Sequence, residues 1–151
     1  MERKVIENAI QPARWDKALP RKQYSSFREI KTPEPWFSVY QILDGIYAIY
    51  EPGHFQEVIS YLITGDKGAL LQDTGLGIGN IKTVVDYLYK GALKVINSHT
   101  HFDHIGCDWM FDEVMILDNE VAKNRLRCGL SHDEVKGEMV SGSIVRELPA
   151  Y

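Results

Sequence analysis

Asn97-Ser98-His99-Thr100-His101-Phe102-Asp103-His104 gathers three of the chain's five histidines and a carboxylate into six residues. The run at 93–96, read as an apolar strand, leads into it and Ile105-Gly106-Cys107 leads out. Imidazoles at i and i+2 of an extended segment point to the same side, so His99 and His101 can grip one cation together. The chain must then turn, and Asp103 and His104 project from that turn in different directions, placed for a second cation beside the first. A merely solvated polar loop is the bland alternative. So dense a set of ligand-type side chains behind a buried strand argues against it.

Outward from this stretch, residues 80–90 read as a helix, because Ile81, Val84, Val85 and Leu88 fall at i, i+3, i+4 and i+7, with Gly91 as terminator. Residues 93–96 read as a short apolar strand of a sheet covered on both faces. Farther upstream, Asp44-Gly45 between 38–43 and 46–50 predicts a hairpin, and Gly65-Asp66-Lys67-Gly68 between 58–64 and 69–72 predicts another. After the histidines, 105–111 reads as a short helix and 113–117 as a strand. A helix capped by Asp118 runs to about Cys128, and Ser131-His132-Asp133-Glu134 reads as a capping box. Strands followed by helix–strand alternation predict an α/β fold with a mixed sheet covered by helices.

Residues 1–35 are expected to form an N-terminal extension lying on the core. A short helix at 7–19 is interrupted by Pro12 and closed by Pro20, and Pro33 and Pro35 force an extended entry into the rest. Trp15, Trp36 and Phe37 read as packing anchors.

The His-x-His-x-Asp-His pattern at 99–104, preceded by the turn Asp73-Thr74-Gly75, a helix and a strand, resembles the metallo-β-lactamase superfamily of metal-dependent hydrolases. The resemblance covers residues 39–117, about half of the chain. It implies a four-layered αββα sandwich of two similar halves, of which residues 36–151 would be the N-terminal half, a truncated form of that domain. It also implies that His99 and His101 serve one metal and Asp103 and His104 the other. Asp103 would be catalytic as well, and Asp73 would lie beneath the metals and orient a ligating imidazole. The loop at 51–56 would border the cleft, so that His54 and Phe55 could touch substrate. The implied cofactor is a divalent metal, zinc first, as one or two ions, with iron or manganese also suited to His and Asp ligands. The implied function is hydrolysis of an ester, thioester, lactone, amide or phosphoester by a metal-bound hydroxide. The Asp-His ending of the motif favours this over the di-iron oxidoreductase branch, which carries a glutamate there.

The ligands that would close such a site come from the second half of the family's fold, and nothing after Phe111 matches them. Cys128 and His132 are spaced i, i+4, but Gly129 and Ser131 break that helix, and Cys128 reads as a small buried hydrophobe. The alternative is therefore a catalytically inactive half-domain that binds metal weakly and assembles with another chain. A third reading, a nucleotide cradle at Gly75-Leu76-Gly77-Ile78-Gly79, has the glycines but no acidic residue at the end of the following strand.

The 151 residues suit one domain, and 44% hydrophobic with 25% charged residues gives no sign of disorder. A net charge of −4 argues against a nucleic-acid partner and leaves a small-molecule substrate as the expected one. Residues 1–31 carry 8 Lys/Arg against 4 Asp/Glu, which reads as a solvated basic face. The opening residues contain no apolar signal core, and no window reaches the roughly 18 apolar residues of a membrane span. Two cysteines make no disulfide framework, so the cytoplasm is the expected compartment. Half a sandwich leaves an apolar sheet face uncovered, which predicts a homo-oligomer or a complementing second half.

Overall fold

The computed structural model describes residues 15–129, 131, 144–147 and 149. Its framework is one seven-stranded sheet whose spatial order is the chain order. β1 (Arg28–Ile30), β2 (Ser38–Leu43), β3 (Ile46–Tyr50), β4 (Ile59–Gly65) and β5 (Gly68–Gln72) form an antiparallel meander. α1 (Ile81–Leu88) then crosses over, so that β6 (Leu93–Ile96) and β7 (Val114–Met115) add on in parallel. The mixed α/β class matches the sequence expectation. Both hairpins turn at the expected residues, and Gly45 takes φ +70°, which a β-carbon would disfavour.

The sheet begins inside the segment expected to be an extension, since β1 is its edge strand. The expected helix at 7–19 lies largely outside the described residues. What is described of it, Trp15–Ala18, is a 3-10 turn. Trp15, Trp36 and Phe37 are buried anchors, as their placement suggested.

One face of the sheet carries the core. Val39, Ile49, Leu62, Leu71 and Val95 are buried there with Ile81, Val84 and Val85 of α1. Each fully buried aliphatic side chain of this kind stabilises by about 1.5–3 kcal/mol. Asn80 caps α1 by accepting from the Thr83 amide at 3.0 Å. The helix stops at Leu88, short of Gly91, because Tyr89 is already extended (φ −147°).

The other face is only partly covered. Tyr24 and Phe27 lie over Tyr40, Ala48, Tyr50 and Tyr61, enclosing a small apolar cavity of about 140 Å³. Farther along, Ile63 and Lys94 are exposed and Leu70 is half-buried. The expectation that 93–96 is apolar and covered on both sides fails at Lys94, which the register places opposite Leu70 on this open face. Past the histidines, helix starts sooner than expected. α2 (Phe102–Ile105) begins inside the motif itself, and a 3-10 turn at Asp108–Met110 follows. α3 (Glu120–Cys128) is capped by Asn119, which accepts from Ala122 N at 2.8 Å, and not by Asp118. The capping box expected at 131–134 lies outside the described residues except for Ser131.

Candidate metal-binding active site

The histidine loop sits at the C-terminal ends of β5 and β6, where parallel strands deliver their loops to one edge of the sheet. After β6 the chain bends at 98–99, His101 takes extended backbone, and Asp103 and His104 lie on α2. The ring centroids of His99 and His101 are 4.5 Å apart, and those of His99 and His104 are 4.1 Å apart. Asp103 Oδ2 is 3.4 Å from His104 Nε2. Residues 99, 101, 103 and 104 are thus brought into one cluster.

Asp73 lies beneath it. Its backbone is left-handed (φ +63°), which an aspartate tolerates better than most side chains. Its carboxylate accepts from Ser98 N at 2.7 Å and Ser98 Oγ at 2.8 Å, and Oδ2 lies 3.0 Å from His104 Nδ1. Ser98 Oγ is in turn 3.0 Å from His99 Nδ1. With Nδ1 of His104 committed to Asp73, Nε2 is the ring nitrogen left to face the cluster.

A second platform, absent from the sequence expectations, holds the loop from behind. Asp108 Oδ1 accepts from Thr74 Oγ1 at 2.7 Å and from Asn97 Nδ2 at 3.1 Å. Cys107 N donates to Thr74 Oγ1, and Thr74 N donates to the His104 carbonyl at 2.8 Å. Arg125 of α3 reaches over to donate to the Thr100 carbonyl at 2.7 Å, between the two leading histidines. Single residues such as Thr74 or Arg125 give no pattern by which sequence could single them out.

Glu51 is the other unanticipated group. It is almost wholly buried, with Oε2 accepting from Trp36 Nε1 at 2.5 Å and Oε1 from Leu76 N at 2.9 Å. Burial outweighs these hydrogen bonds and pushes its carboxyl up to about 7. A β-carbon on Gly75 would overlap Glu51 Oε1, and one on Gly77 would press on the Gly106 carbonyl. The glycines at 75 and 77 therefore serve close packing of the turn against protein, and they do not form an open phosphate cradle.

His54 is fully buried, in ring contact with Phe55 (4.7 Å between centroids) and bridged through its backbone to Ile144. The fold therefore encloses this loop histidine, named above with Phe55 as a possible substrate contact. Its neighbour Gln56 faces the cluster instead, with Nε2 3.4 Å from Asp103 Oδ2. Cys128, expected to be buried, is exposed on the last turn of α3, while His132 lies outside the described residues.

Electrostatically the cluster calls for positive charge. Two carboxylates flank His104. Hydrogen bonds from Asp103 first and Asp73 second outweigh burial and raise its imidazole to about 9. Burial works to raise Asp73 and Asp103, but their bonds to His104 prevail and both stay below the usual carboxylate range. Burial first, and then the neighbouring imidazoles, hold His99 below its ordinary value. Imidazole beside ionised carboxylate is the donor chemistry of a divalent cation, and a bound cation would displace the proton that the two carboxylates hold on His104, so the residues fit such an ion in kind. They do not fit it in number: among the described residues no three His, Cys, Asp or Glu side chains stand as a group able to hold an ion.

Residues 56–114 match the family model described as "Metallo-beta-lactamase superfamily". Over that segment, the chain is similar to the metallo-β-lactamase superfamily. The acyl-coenzyme A thioesterase MBLAC2 of Bos taurus is 28% identical over 54% of this chain and 34% of its own length, and the Homo sapiens protein of the same name gives the same figures. The chain thus spans about a third of the length of these curated relatives. Among solved structures, the DIM-1 metallo-beta-lactamase exposed to ceftazidime aligns with a TM-score of 0.49 at 15% identity, covering 65% of this chain and 48% of the other. The metallo-β-lactamase fold that this segment resembles implies divalent-metal binding in general terms. No described helix is long and apolar enough to cross a membrane.

Proposed function

We propose that this chain carries the metal-binding half of a hydrolytic site that acts on a carbonyl ester or thioester. The observation that carries the proposal is the cluster itself: three imidazoles and the Asp103 carboxylate meet at one sheet edge, with Asp73 committing Nδ1 of His104 and so leaving Nε2 for coordination. His99 and His101 would hold one divalent cation, and Asp103 and His104 a neighbouring one, zinc suiting the donors best. When bound, such an ion supplies Lewis-acid polarisation of the electrophile and acidifies water near neutral pH. The chain's own part is positional. Asp73 and Ser98 fix the imidazoles, Arg125 fixes the Thr100 carbonyl, and the Asp103 carboxylate would serve as a ligand and as an acceptor for a proton from water. Lactones, amides and phosphoesters belong to the same chemistry, and the thioester is favoured by what the curated relatives are named for.

A second reading is favoured by the open count of ligands: a half-domain inactive alone, which binds metal weakly and works by assembling with another copy or a complementing second half. Two measurements separate the readings. The first is metal equivalents per chain, beside a His99→Ala/His101→Ala control. The second is hydrolysis of an ester and thioester panel with and without chelator. About two equivalents, lost in the control, with turnover abolished by chelator and by His101→Ala, support the hydrolase. Turnover that survives His101→Ala sinks it. Metal near zero and no turnover leave the half-domain reading standing.

A further inference from the structure

We propose that Gln56 is a positioning residue for Asp103, gripping its carboxylate from the loop between β3 and β4. The inference rests on the reading of Asp103 as a metal ligand, and its geometry is independent of that reading. Gln56 lies 47 positions from Asp103 in sequence, yet its Nε2 is 3.4 Å from Asp103 Oδ2. His104 Nε2 approaches the same oxygen at 3.4 Å. One carboxylate oxygen is therefore approached by two nitrogens carried on different elements, the loop and α2.

The loop is built to aim that carboxamide. Gln56 N donates to Nδ1 of His54, which is wholly buried. The next residue, Glu57, takes a left-handed backbone (φ +51°) and is pinned by the Arg21 guanidinium and the Tyr50 hydroxyl. Gln56 is thus held on both sides, at its own amide and at its successor. The buried His54, which the cluster itself does not use, finds its role here as the support of this arm.

The amide is retained at a cost. Gln56 Oε1 is sealed from solvent and has no hydrogen-bond partner among the described residues. A buried acceptor without a partner is destabilising, and an apolar side chain of the same shape would avoid the penalty. The carboxamide is explained if its N–H is needed on Asp103, because an ionised carboxylate only accepts. The orphan Oε1 is then left to accept from a water or another donor at the site. Partners that orient a metal ligand in this way typically change metal affinity or activity 10–100-fold when removed.

Gln56→Met tests the grip, since it keeps the length and shape of the side chain and removes the donor. Zinc affinity of the full chain is measured by competition with a chromophoric chelator, beside the melting temperature of the zinc-free protein. In parallel, the Gln56 side-chain amide signals are followed by 15N NMR in wild type and in Asp103→Asn. The expected result is zinc affinity weakened about tenfold in Gln56→Met with the zinc-free melting temperature not lowered, and amide signals that move in Asp103→Asn. Unaltered zinc affinity in a folded Gln56→Met, or amide signals indifferent to Asp103→Asn, overturns the proposal. Should wild type take up no zinc, the metal reading of Asp103 fails by itself, and the amide signals alone decide whether Gln56 holds Asp103.

Discussion

Asp73 Oδ2 and His104 Nδ1 are 3.0 Å apart, although 31 residues separate them in sequence. Through that contact the end of β5 is tied to α2, and through its bonds to Ser98 the same carboxylate also holds the start of the histidine loop. One buried side chain therefore holds the His104 ring by its Nδ1 and fixes the path of the backbone leading to His99. The left-handed backbone at Asp73 is the conformational cost of putting its carboxylate there.

Asp73→Asn keeps the shape and removes the charge. The amide can accept from Ser98 N with its oxygen, but the nitrogen that replaces Oδ2 then faces Ser98 Oγ and His104 Nδ1, so two of the three contacts are lost or reversed. Divalent-metal affinity is expected to fall 10–100-fold. Stability is expected to fall by about 1–3 kcal/mol, the cost of an unsatisfied buried polar group. Metal titration and urea unfolding of the same preparation check both. Wild-type affinity in the variant would show that Asp73 does not orient His104.

Glu51 gives the chain a pH dependence of known sign. Its folded-state pKa, about 7, lies above the ordinary value of 4.5, so the folded state binds the extra proton between these limits. The stability it contributes is present below pH 4.5 and is lost as pH rises through 7. At 1.36 kcal/mol per unit, the full swing is roughly 3 kcal/mol. The facing groups are the Trp36 indole and the Leu76 amide, with the Asp103 charge adding to the upward push. Glu51→Gln removes the titration, so the stability advantage of wild type over Glu51→Gln should be larger at pH 5 than at pH 7.5. Urea midpoints at the two pH values measure it, and a constant difference would count against a buried proton on Glu51.

The sequence carried most of this fold because its signals are local. Asp44-Gly45 and the 65–68 turn each need specific φ angles that glycine supplies, and both hairpins form there. The helix periodicity at 81–88 reports one buried face, and that face is buried. The donors at 99–104 are legible for the same reason, being adjacent in the chain. What escaped detection depends on long-range contact. Glu51 and Gln56 read as unremarkable loop polars until β3 and β4 carry them against Leu76 and Asp103. Arg125 looks like an ordinary basic residue near a helix C-terminus, and only folding brings it to Thr100. The burial of His54 was likewise hidden in the sequence, because it depends on the segment at 144–147 returning to pair beside it.

The two sheet faces should respond differently to the same loss. Leu62 is fully buried against the core and Ile63, its neighbour in β4, is 38% exposed on the other face. Leu62→Ala is expected to cost about 2–5 kcal/mol, as core truncations do. Ile63→Ala should cost well under half of that, about 1 kcal/mol or less. Urea unfolding of the two variants under one condition measures the contrast, and equal losses would show that the second face is as tightly packed as the first.

That second face also bears on assembly. The register aligns Ile46, Ile63, Leu70 and Lys94 in one row across four strands. Ile63 and Met115 are exposed large hydrophobics on this side of the sheet. Contiguous apolar surface rimmed by polar groups marks contact sites in soluble proteins. The expected result is concentration-dependent self-association through this face, with Lys94 at the margin limiting how closely two copies stack. Ile63→Lys places a second cation in the row, where two apposed faces would bring like charges together, and should shift the population toward monomer. Sedimentation velocity over a hundredfold concentration range, on wild type and Ile63→Lys at matched ionic strength, checks it. Wild type that stays monomeric at the highest concentration removes the homo-oligomer and leaves a complementing second half as the partner for this surface.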